Sequence, residues 1–587
     1  MSESLLYFNG VNALTGDYAR APASVQGWSA QTLSVPSTTL LADLEKRKEQ
    51  TEQSDGKLAA ARKHYAELQA DLATLLRMGS ADVNQLQSLR RQIADAERFL
   101  VRNTHAGVRQ GIDPLSLSQA GWGIIFPARI AADRQSQILE ALLPLLSRRK
   151  MQAGDRFRTY VGAGGYRTGD TKARFLSRHG AAPAGPASPE AVPYYLLLIG
   201  SPEEIPFEFQ YHLDIQYAVG RLHFLDIAGY HNYAKSVVQT EEKGSPKAQK
   251  LTLCGVQNPS DPATEKTERF LTKPLSDEFG QTAHGWQIEK LGAEQTSQKG
   301  ILAQLGGSQT ASLLFVACHG IEYPTGHPLQ RARQGALLGN RWCRSENRPL
   351  SEDDFVAGHH LSSSADVSGM MLFAFACYSA GAPLPAEYPS PDGIVPATAA
   401  DVPFVGSLPM DLLSHPRGGA LAVIGHVERA WGFAYGVDDA RQRSHTAVFH
   451  SALSRLLLGH PVGHAMEFFN EHYAERATAL SELVFQILNH RTYDPQILGE
   501  LWCESADARG YVVLGDPAVR FVYPSPALAE AVPQVAEAVP QVTDIRDEQT
   551  AFPCPQGISP ADWERTPRAV KEWAARLQKQ SAETPVR

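Results

Sequence analysis

The sequence predicts an α/β protein built on a mostly parallel β-sheet flanked by helices. From about residue 120, short apolar runs that end in Gly or polar residues alternate with amphipathic helical stretches. Such runs are typical of strands buried on both faces, and their alternation with helices indicates βαβ units. The longest series of these units extends from about residue 249 to residue 517.

The predicted elements follow one another in a regular order. Strands are predicted at 123–127, 194–200, 251–256, 286–291, 313–318, 371–376, 419–426 and 511–517. Helices are predicted at 135–147, 267–279, 301–305 and 443–458, with more helix to about 495. A hairpin is expected around residues 335–342, and a helix near Asp353.

The ends of the chain have a different pattern. Apolar residues in steps of three and four over 38–104, interrupted at Met78-Gly79-Ser80, predict an antiparallel helical hairpin, with a dimerising coiled coil as the alternative. The heptapeptide Ala-Glu-Ala-Val-Pro-Gln-Val occurs at 529–535 and again at 536–542, which is typical of a linker. The sequence therefore divides into an N-terminal segment with the hairpin (1–114), two α/β segments (115–220 and 221–523), a linker (524–558) and a C-terminal helical element (559–587).

Composition excludes several classes of protein. The chain has 587 residues, 20% of them charged, and a net charge of −8 without a clustered basic face, so nucleic-acid binding is not expected. Its six cysteines form no CxxC pair, which fits a reducing compartment. The sequence has no signal peptide and no apolar run of membrane-spanning length, so we expect a cytoplasmic protein that does not contact a membrane.

Two of the predicted strands end in residues that could perform catalysis. The run 313–318 leads into His319-Gly320, and the run 371–376 leads into Cys377, 58 positions after His319. Ligands of open α/β sheets bind beyond the carboxyl ends of the strands, so a base and a nucleophile would face one crevice there. Each residue alone is more often structural, but the two together favour a cysteine peptidase.

The chemistry of a thiol nucleophile requires both residues. A thiol attacks a carbonyl as the thiolate, and an imidazole can take its proton and later protonate the leaving amine. Gly320 could offer an unobstructed backbone N–H to the oxyanion, together with the N–H of Cys377. Cys318 points to the opposite face from its neighbour His319 and is expected in the core.

The His-Gly and Ala-Cys blocks, in this order, resemble those of the caspase-like cysteine peptidases (clan CD), and the flanking sequence is most similar to bacterial CHAT and gingipain-type members. The similarity covers roughly 115–523 and includes Tyr217-Ala-Val-Gly-Arg-Leu222 and Gly515-Asp-Pro517. It implies a caspase-like sheet, with 115–220 as a second, degenerate caspase-like subdomain. It also implies His319 as base, Cys377 as nucleophile, and neither metal nor organic cofactor.

The resemblance further implies a hydrolase that cuts a protein partner. CHAT-type peptidases act as regulated effectors in bacterial signalling or antiphage defence, some by cutting a gasdermin-like pore-forming protein. The helical segments would then bind a regulatory protein partner. The caspase Gln-Ala-Cys-x-Gly signature is not matched, because Phe375 precedes Ala376 and Ser379 replaces the Gly. The alternative is a catalytically silent caspase-like scaffold for protein interaction.

In related peptidases two segments hold the P1 side chain, and here they contain Asp261, Glu428 and Trp431. An acid and an aromatic wall would suit Arg or Lys at P1, whereas a solvated Asp261 is the structural alternative.

Three other kinds of site are disfavoured by the sequence. A zinc site at His460 and His464 is disfavoured by Pro461 between them. Residues 162–165 lack the Lys of a phosphate loop, and no well-placed Gly-x-Ser-x-Gly supports an α/β-hydrolase.

Overall fold

The computed structural model describes residues 5–6, 10–19, 23–24, 107–283, 285–384, 399–430, 439–488 and 494–523. The predicted helical hairpin (38–104), the linker and the C-terminal helical element (524–587) lie outside these residues. The domain boundaries proposed at 114, 220, 524 and 558 stay predictions. No helix in the described ranges is long and apolar enough to cross a membrane.

The described strands are numbered in chain order. They are β1 Leu5–Leu6, β2 Gly10–Asn12, β3 Ala23–Ser24, β4 Trp122–Ile125, β5 Phe157–Tyr160, β6 Tyr195–Ile199, β7 Ala218–Leu222, β8 Lys250–Gly255, β9 Gln287–Lys290, β10 Leu313–Ala317, β11 Gly320–Glu322, β12 Leu337–Leu338, β13 Phe355–Val356, β14 Met371–Phe375, β15 Gly381–Ala382, β16 Phe404–Val405, β17 Ala422–His426 and β18 Tyr511–Gly515.

The described helices are numbered in the same way. They are α1 Leu117–Ala120, α2 Ala132–Ala141, α3 Leu143–Ala153, α4 Lys172–Arg178, α5 Phe207–Asp214, α6 Ile227–Lys243, α7 Pro262–Thr267, α8 Lys273–Thr282, α9 Gln298–Gln304, α10 Gln330–Arg333, α11 Ser407–Leu413, α12 Asp439–Leu457, α13 Val462–Ala465, α14 Glu467–Leu488 and α15 Pro495–Gly510. A π-helical turn, Glu268–Thr272, joins α7 to α8.

Ten strands form the central sheet, in the order β5-β4-β6-β7-β18-β17-β14-β10-β8-β9. Strands β17, β14, β10, β8 and β9 pair in parallel, as do β5, β4, β6 and β7, whereas β18 pairs antiparallel with β17. The residues of the central strands are fully buried, as the apolar runs predicted. The predicted α/β class with a mostly parallel sheet flanked by helices is confirmed.

A smaller four-stranded sheet adjoins the carboxyl end of β10. Its order is β13-β12-β11-β2, and β11 begins only three residues after β10 ends. The hairpin expected around 335–342 is not formed within that segment: β12 lies there, but it pairs antiparallel with β11 at 320–322 and with β13 at 355–356. An apolar cluster fills this sheet and includes Val11, Ile321 and Trp342.

Three helix predictions need correction. The helix predicted at 135–147 is two helices, α2 and α3, because Pro144 has no N–H to donate to the preceding turn. The helix predicted from 267 begins at Pro262, where Asp261 caps its N-terminus. The helix expected near Asp353 is a single 3₁₀ turn, Glu352–Asp354.

Asp516 in the Gly515-Asp-Pro517 segment ties the end of β18 to the opposite half of the molecule. Its side chain accepts hydrogen bonds from Trp122 Nε1 (2.9 Å) and from Arg149 Nε (2.7 Å). Arg149 is buried and also pairs with Glu241 at 2.6 Å. A buried ion pair of this kind leaves an uncompensated charge when one partner is removed.

We therefore expect Asp516→Asn to lower the free energy of unfolding by about 3 kcal/mol, because the Arg149 guanidinium loses one of its two carboxylates. Denaturant unfolding followed by circular dichroism measures this loss. Asp353→Asn is the matched control, since Asp353 is 67% exposed and pairs with Arg341 at 3.3 Å, so its loss should cost less than about 0.5 kcal/mol. Equal losses in the two variants would contradict a stabilising role for the buried network.

Candidate active site

The register of two neighbouring strands brings His319 and Cys377 to the same level of the sheet. Strands β10 and β14 are parallel, and Ala317 lies opposite Phe375. His319 and Cys377 each follow two residues later, beyond the carboxyl ends of strands that lie about 4.8 Å apart. The close approach of the two segments is visible at Gly320, where a Cβ would lie 1.9 Å from the carbonyl oxygen of Cys377. Only glycine fits there.

His319 is buried and held by one of its two ring nitrogens. Nε2 lies 2.8 Å from Oδ2 of Asp261, and this hydrogen bond to a carboxylate assigns the proton to Nε2. Nδ1 is buried and has no hydrogen-bond partner among the described residues. In the neutral imidazole Nδ1 therefore carries a lone pair that can accept a proton.

Asp261 accepts hydrogen bonds on both carboxylate oxygens. Besides His319, Oδ2 accepts from the Thr264 hydroxyl at 2.6 Å, and Oδ1 accepts from the Tyr18 hydroxyl and from the backbone of Ala263. Burial alone would raise the pKa of this carboxyl, but His319 and the hydrogen bonds outweigh burial and hold the pKa well below its usual range. Asp261 is thus an ionised carboxylate at neutral pH.

This position differs from the one expected for Asp261. The sequence suggested either a substrate-binding acid or a solvated loop residue, whereas Asp261 is 3% exposed and caps α7. Its loop is fixed by Asn258, which donates hydrogen bonds to the carbonyls of Gly339 (2.8 Å) and Trp342 (3.2 Å). The carboxylate faces His319, so a direct contact with a P1 side chain is not supported by the geometry.

Cys377 lies in a closed environment, near the ion pair of Glu322 and Arg429. Its side chain is fully buried, and Sγ lies 3.7 Å from the carbonyl oxygen of Ala430. Burial raises the pKa of the thiol well above its usual value, the Glu322 carboxylate raises the pKa further, and the Arg429 guanidinium opposes them. Arg429 forms an ion pair with Glu322, which limits that opposition. In this conformation Cys377 is a neutral thiol.

The chain turns sharply directly after Cys377. Tyr378 has φ of +56°, in the left-handed region that a bulky residue rarely adopts. Its backbone N–H donates to the carbonyl of Glu428 (2.9 Å), and its hydroxyl donates to Oε1 of the same residue (3.0 Å). The turn directs the segment after Cys377 back along β17 and fixes the position of the thiol. The apolar pattern around Cys377 does not predict this conformation.

Two further predicted substrate-binding residues have different outcomes. Glu428 is 2% exposed, bonded to Tyr378 and 3.6 Å from Arg429, so it belongs to a buried polar group rather than to an open acidic pocket. Trp431 lies outside the described residues. Gly320 lies against the backbone of Cys377, as an oxyanion donor would require, and that role stays a prediction.

A cluster that sequence analysis missed consists of Glu352, His359 and His360, whose ligand atoms lie within 4.8 Å of one another. Both histidines contact Glu352 through Nε2, at 2.9 and 3.1 Å, and Arg333 also pairs with this carboxylate. Nδ1 of His360 accepts the backbone N–H of Ala357, so Nε2 of the neutral ring carries its proton and cannot ligate a metal. The cluster is a surface ion-pair group.

The two histidines considered for zinc, His460 and His464, stack with ring centroids 5.1 Å apart. Nε2 of His464 lies 3.3 Å from Glu467, a carboxylate that the sequence did not suggest. Glu467 is already paired with Arg455 at 2.8 Å and with Tyr194. The Glu467 carboxylate therefore joins α14 to Arg455 on α12, to His464 on α13 and to Tyr194.

Comparisons with known proteins add little to this geometry. No protein-family model matches the sequence, and no curated protein matches it. A solved structure described as a protease has a TM-score of 0.41 and 14% identity, covering 71% of this chain and 83% of its own. The complex of the pro- and mature domains of RgpB from Porphyromonas gingivalis has a TM-score of 0.38 and 12% identity, and the match covers 68% of this chain and 79% of the RgpB chain. Similarity at this level does not assign an activity to this chain.

The contact between Glu322 and Arg429 makes a testable prediction about the thiol. Glu322→Gln removes the carboxylate that raises the pKa of Cys377 and also removes the ion-pair partner that offsets the charge of Arg429, so we expect the thiol pKa to fall. Iodoacetamide labelling of the Cys377 peptide, followed by mass spectrometry between pH 6 and 10, should show faster alkylation of the variant at every pH below the wild-type pKa.

Glu346→Gln is the control for that experiment, since Glu346 is half exposed and pairs with Arg348 at 2.9 Å. It should leave the labelling profile of Cys377 unchanged. An unchanged profile in Glu322→Gln as well would mean that the Glu322–Arg429 pair does not influence the thiol.

Proposed function

We propose that this protein is a cysteine endopeptidase of the caspase-like kind, with Cys377 as nucleophile and His319 as general base. One observation carries the proposal: at the level of Cys377 in the sheet, the buried His319 is bonded through Nε2 to Asp261, and its Nδ1 has no hydrogen-bond partner in the part of the chain that the structure describes. A base oriented by a carboxylate next to a nucleophile is the arrangement that thiol and hydroxyl nucleophiles require.

The proposed reaction proceeds in two halves. Nδ1 of His319 takes the thiol proton as Sγ of Cys377 attacks the scissile carbonyl, and the backbone N–H groups of Gly320 and Cys377 would stabilise the oxyanion. The imidazolium then protonates the leaving amine, the C–N bond breaks, and an acyl-thioester forms. A water molecule deprotonated by His319 attacks the thioester, which releases the carboxylate and restores the thiol.

Asp261 would act on His319 rather than on the substrate. Its charge favours the imidazolium that forms during attack, and its hydrogen bond keeps the proton on Nε2, so that Nδ1 is the basic nitrogen. With Asp261 and Glu428 both engaged inside the protein, the proposed preference for Arg or Lys at P1 loses two of its three supports. The labelling experiment below therefore determines the P1 preference.

The finer proposal is a regulated effector that cuts a protein partner, as in bacterial signalling or antiphage defence, with a gasdermin-like pore former as one candidate substrate. It is supported by the sequence resemblance, and by a resting thiol that is buried and neutral. The same burial favours a second candidate function, a catalytically silent scaffold, because a substrate must reach Sγ for any turnover.

The experiment combines active-site labelling with variants. Wild type, Cys377→Ala and His319→Ala are incubated with chloromethylketones carrying Arg, Lys or Asp, and intact masses and peptide hydrolysis are measured. A single adduct that is lost in Cys377→Ala, with hydrolysis reduced by at least about 10³-fold in both variants, is the expected result. The warhead that reacts identifies the P1 class.

Cys343→Ala is the matched control, because Cys343 is the described cysteine that is partly exposed. It should keep both the adduct and the activity. An adduct that survives in Cys377→Ala, or hydrolysis that survives there, would refute Cys377 as nucleophile. An absence of adduct and hydrolysis in wild type, even with the protein unfolded in part by mild denaturant, would favour the scaffold.

A further inference from the structure

The N-terminal residues 10–19 fold into a β-hairpin that lies beside the catalytic residues. Strand β2 pairs in parallel with β11, with Gly10 opposite Gly320, and Tyr18 returns opposite Val11. The carbonyl of Gly16 in the turn accepts a hydrogen bond from Trp342 Nε1 (2.9 Å). Val11 is fully buried, so the hairpin is an integral part of the smaller sheet.

Tyr18 carries the hairpin into the hydrogen-bond network of the base. Its hydroxyl donates to Oδ1 of Asp261, the oxygen that does not contact His319. Its ring lies 5.8 Å from the imidazole of His319 between centroids, and Trp342 packs edge-on against the same imidazole at 5.4 Å. The imidazole therefore packs against two aromatic rings: Tyr18 belongs to the hairpin, and Trp342 is hydrogen-bonded to it.

We propose that Tyr18 is a positioning residue for the base, acting through Asp261. The inference rests on the proposed role of His319. A carboxylate rotates easily about its last side-chain bond, since that torsion has broad minima. The Tyr18 hydroxyl on Oδ1, together with the donors from Ala263 and Thr264, opposes this rotation, so Oδ2 stays directed at Nε2 of His319. The N-terminal hairpin thereby completes a site whose other residues lie more than 240 positions away.

The Tyr18 hydroxyl keeps its proton at neutral pH. Burial raises the pKa of Tyr18 far above its usual value, and the charge of Asp261 raises it further, while Arg344 opposes both. The Arg344 guanidinium lies 4.2 Å from the centre of the Tyr18 ring. The charged and titratable groups that the structure places against Tyr18 include Asp261, His319 and Arg344, and the hydroxyl is the donor to Asp261.

The hairpin also touches the nucleophile. A Cβ at Gly10 would lie 3.4 Å from Sγ of Cys377, so the backbone of β2 passes directly beside the thiol. This contact admits an opposite role, in which the hairpin restrains the site and its removal activates the enzyme. The hydrogen bond from Tyr18 to Asp261 favours support over restraint, and the two roles give opposite results when Tyr18 is changed.

The test is Tyr18→Phe, which removes the hydroxyl and keeps the ring that packs in the smaller sheet. We expect kcat to fall about 10-fold with KM unchanged, because a hydrogen bond to a charged group is lost. The titration of His319, followed by NMR on selectively labelled histidines and assigned with His319→Gln, is the second readout. The pKa of the imidazolium should fall in Tyr18→Phe, where the carboxylate is no longer held against Nε2, and fall further in Asp261→Asn, where the charge is lost.

Tyr195→Phe is the matched control. Tyr195 is also a buried tyrosine whose hydroxyl donates a hydrogen bond, to the carbonyl of Pro114 (2.7 Å), and it lies on β6 away from His319. It should change neither kcat nor the titration. Circular dichroism verifies that all variants are folded.

Each outcome decides the inference. A rise in the activity of Tyr18→Phe would assign a restraining role to the hairpin and overturn it. A loss of activity without a shift in the His319 titration would reduce Tyr18 to a structural residue, and no change in either readout would also overturn it. If wild type proves inactive, the titration still tests the positioning role, so failure of the peptidase proposal is recognised separately.

Discussion

The candidate site depends on the parallel pairing of β10 with β14. Because Ala317 lies opposite Phe375, the first residues that can project beyond the sheet, His319 and Cys377, reach the same level. A slip of one residue would move one of them to the opposite face, where Cys318 is buried in the core. Both strands are fully buried, and the hydrophobic pattern on both faces holds this register. The relative position of His319 and Cys377 is thus a consequence of how the core packs.

The electrostatic state of the site follows from its burial. Taking charge out of water is unfavourable, so the isolated thiol of Cys377 stays neutral, while Asp261 keeps its charge because five donors surround it. The positive charge of Arg429 is largely offset by its ion pair with Glu322. In the resting conformation the negative charge therefore lies on the carboxylate behind His319.

The sequence predicts the parts of this structure that depend on local pattern. The buried strands ending at His319 and Cys377 could be found because fully buried strands are continuous apolar runs of characteristic length. Asp261 and Glu428 were singled out, yet their surroundings were not predictable. The donor to Asp261 is Tyr18, 243 residues earlier, and the bond to Glu428 depends on the left-handed backbone of Tyr378. Contacts between residues distant in sequence, and unusual dihedrals, leave no periodic signal.

The two motifs outside the candidate site that suggested the resemblance, at 217–222 and 515–517, contribute to the packing of the central sheet. Gly220 lies where a Cβ would be 2.2 Å from the carbonyl oxygen of Gly515, so small residues allow β7 and β18 to approach. Arg221 is fully buried and donates to the carbonyls of Gly200 (3.0 Å) and Ile205 (2.7 Å). The close approach at Gly220 lets β18 pair with both β7 and β17, and β17 leads to Glu428, the residue that binds Tyr378. Residues far from His319 and Cys377 therefore contribute to the position of the segment that follows Cys377.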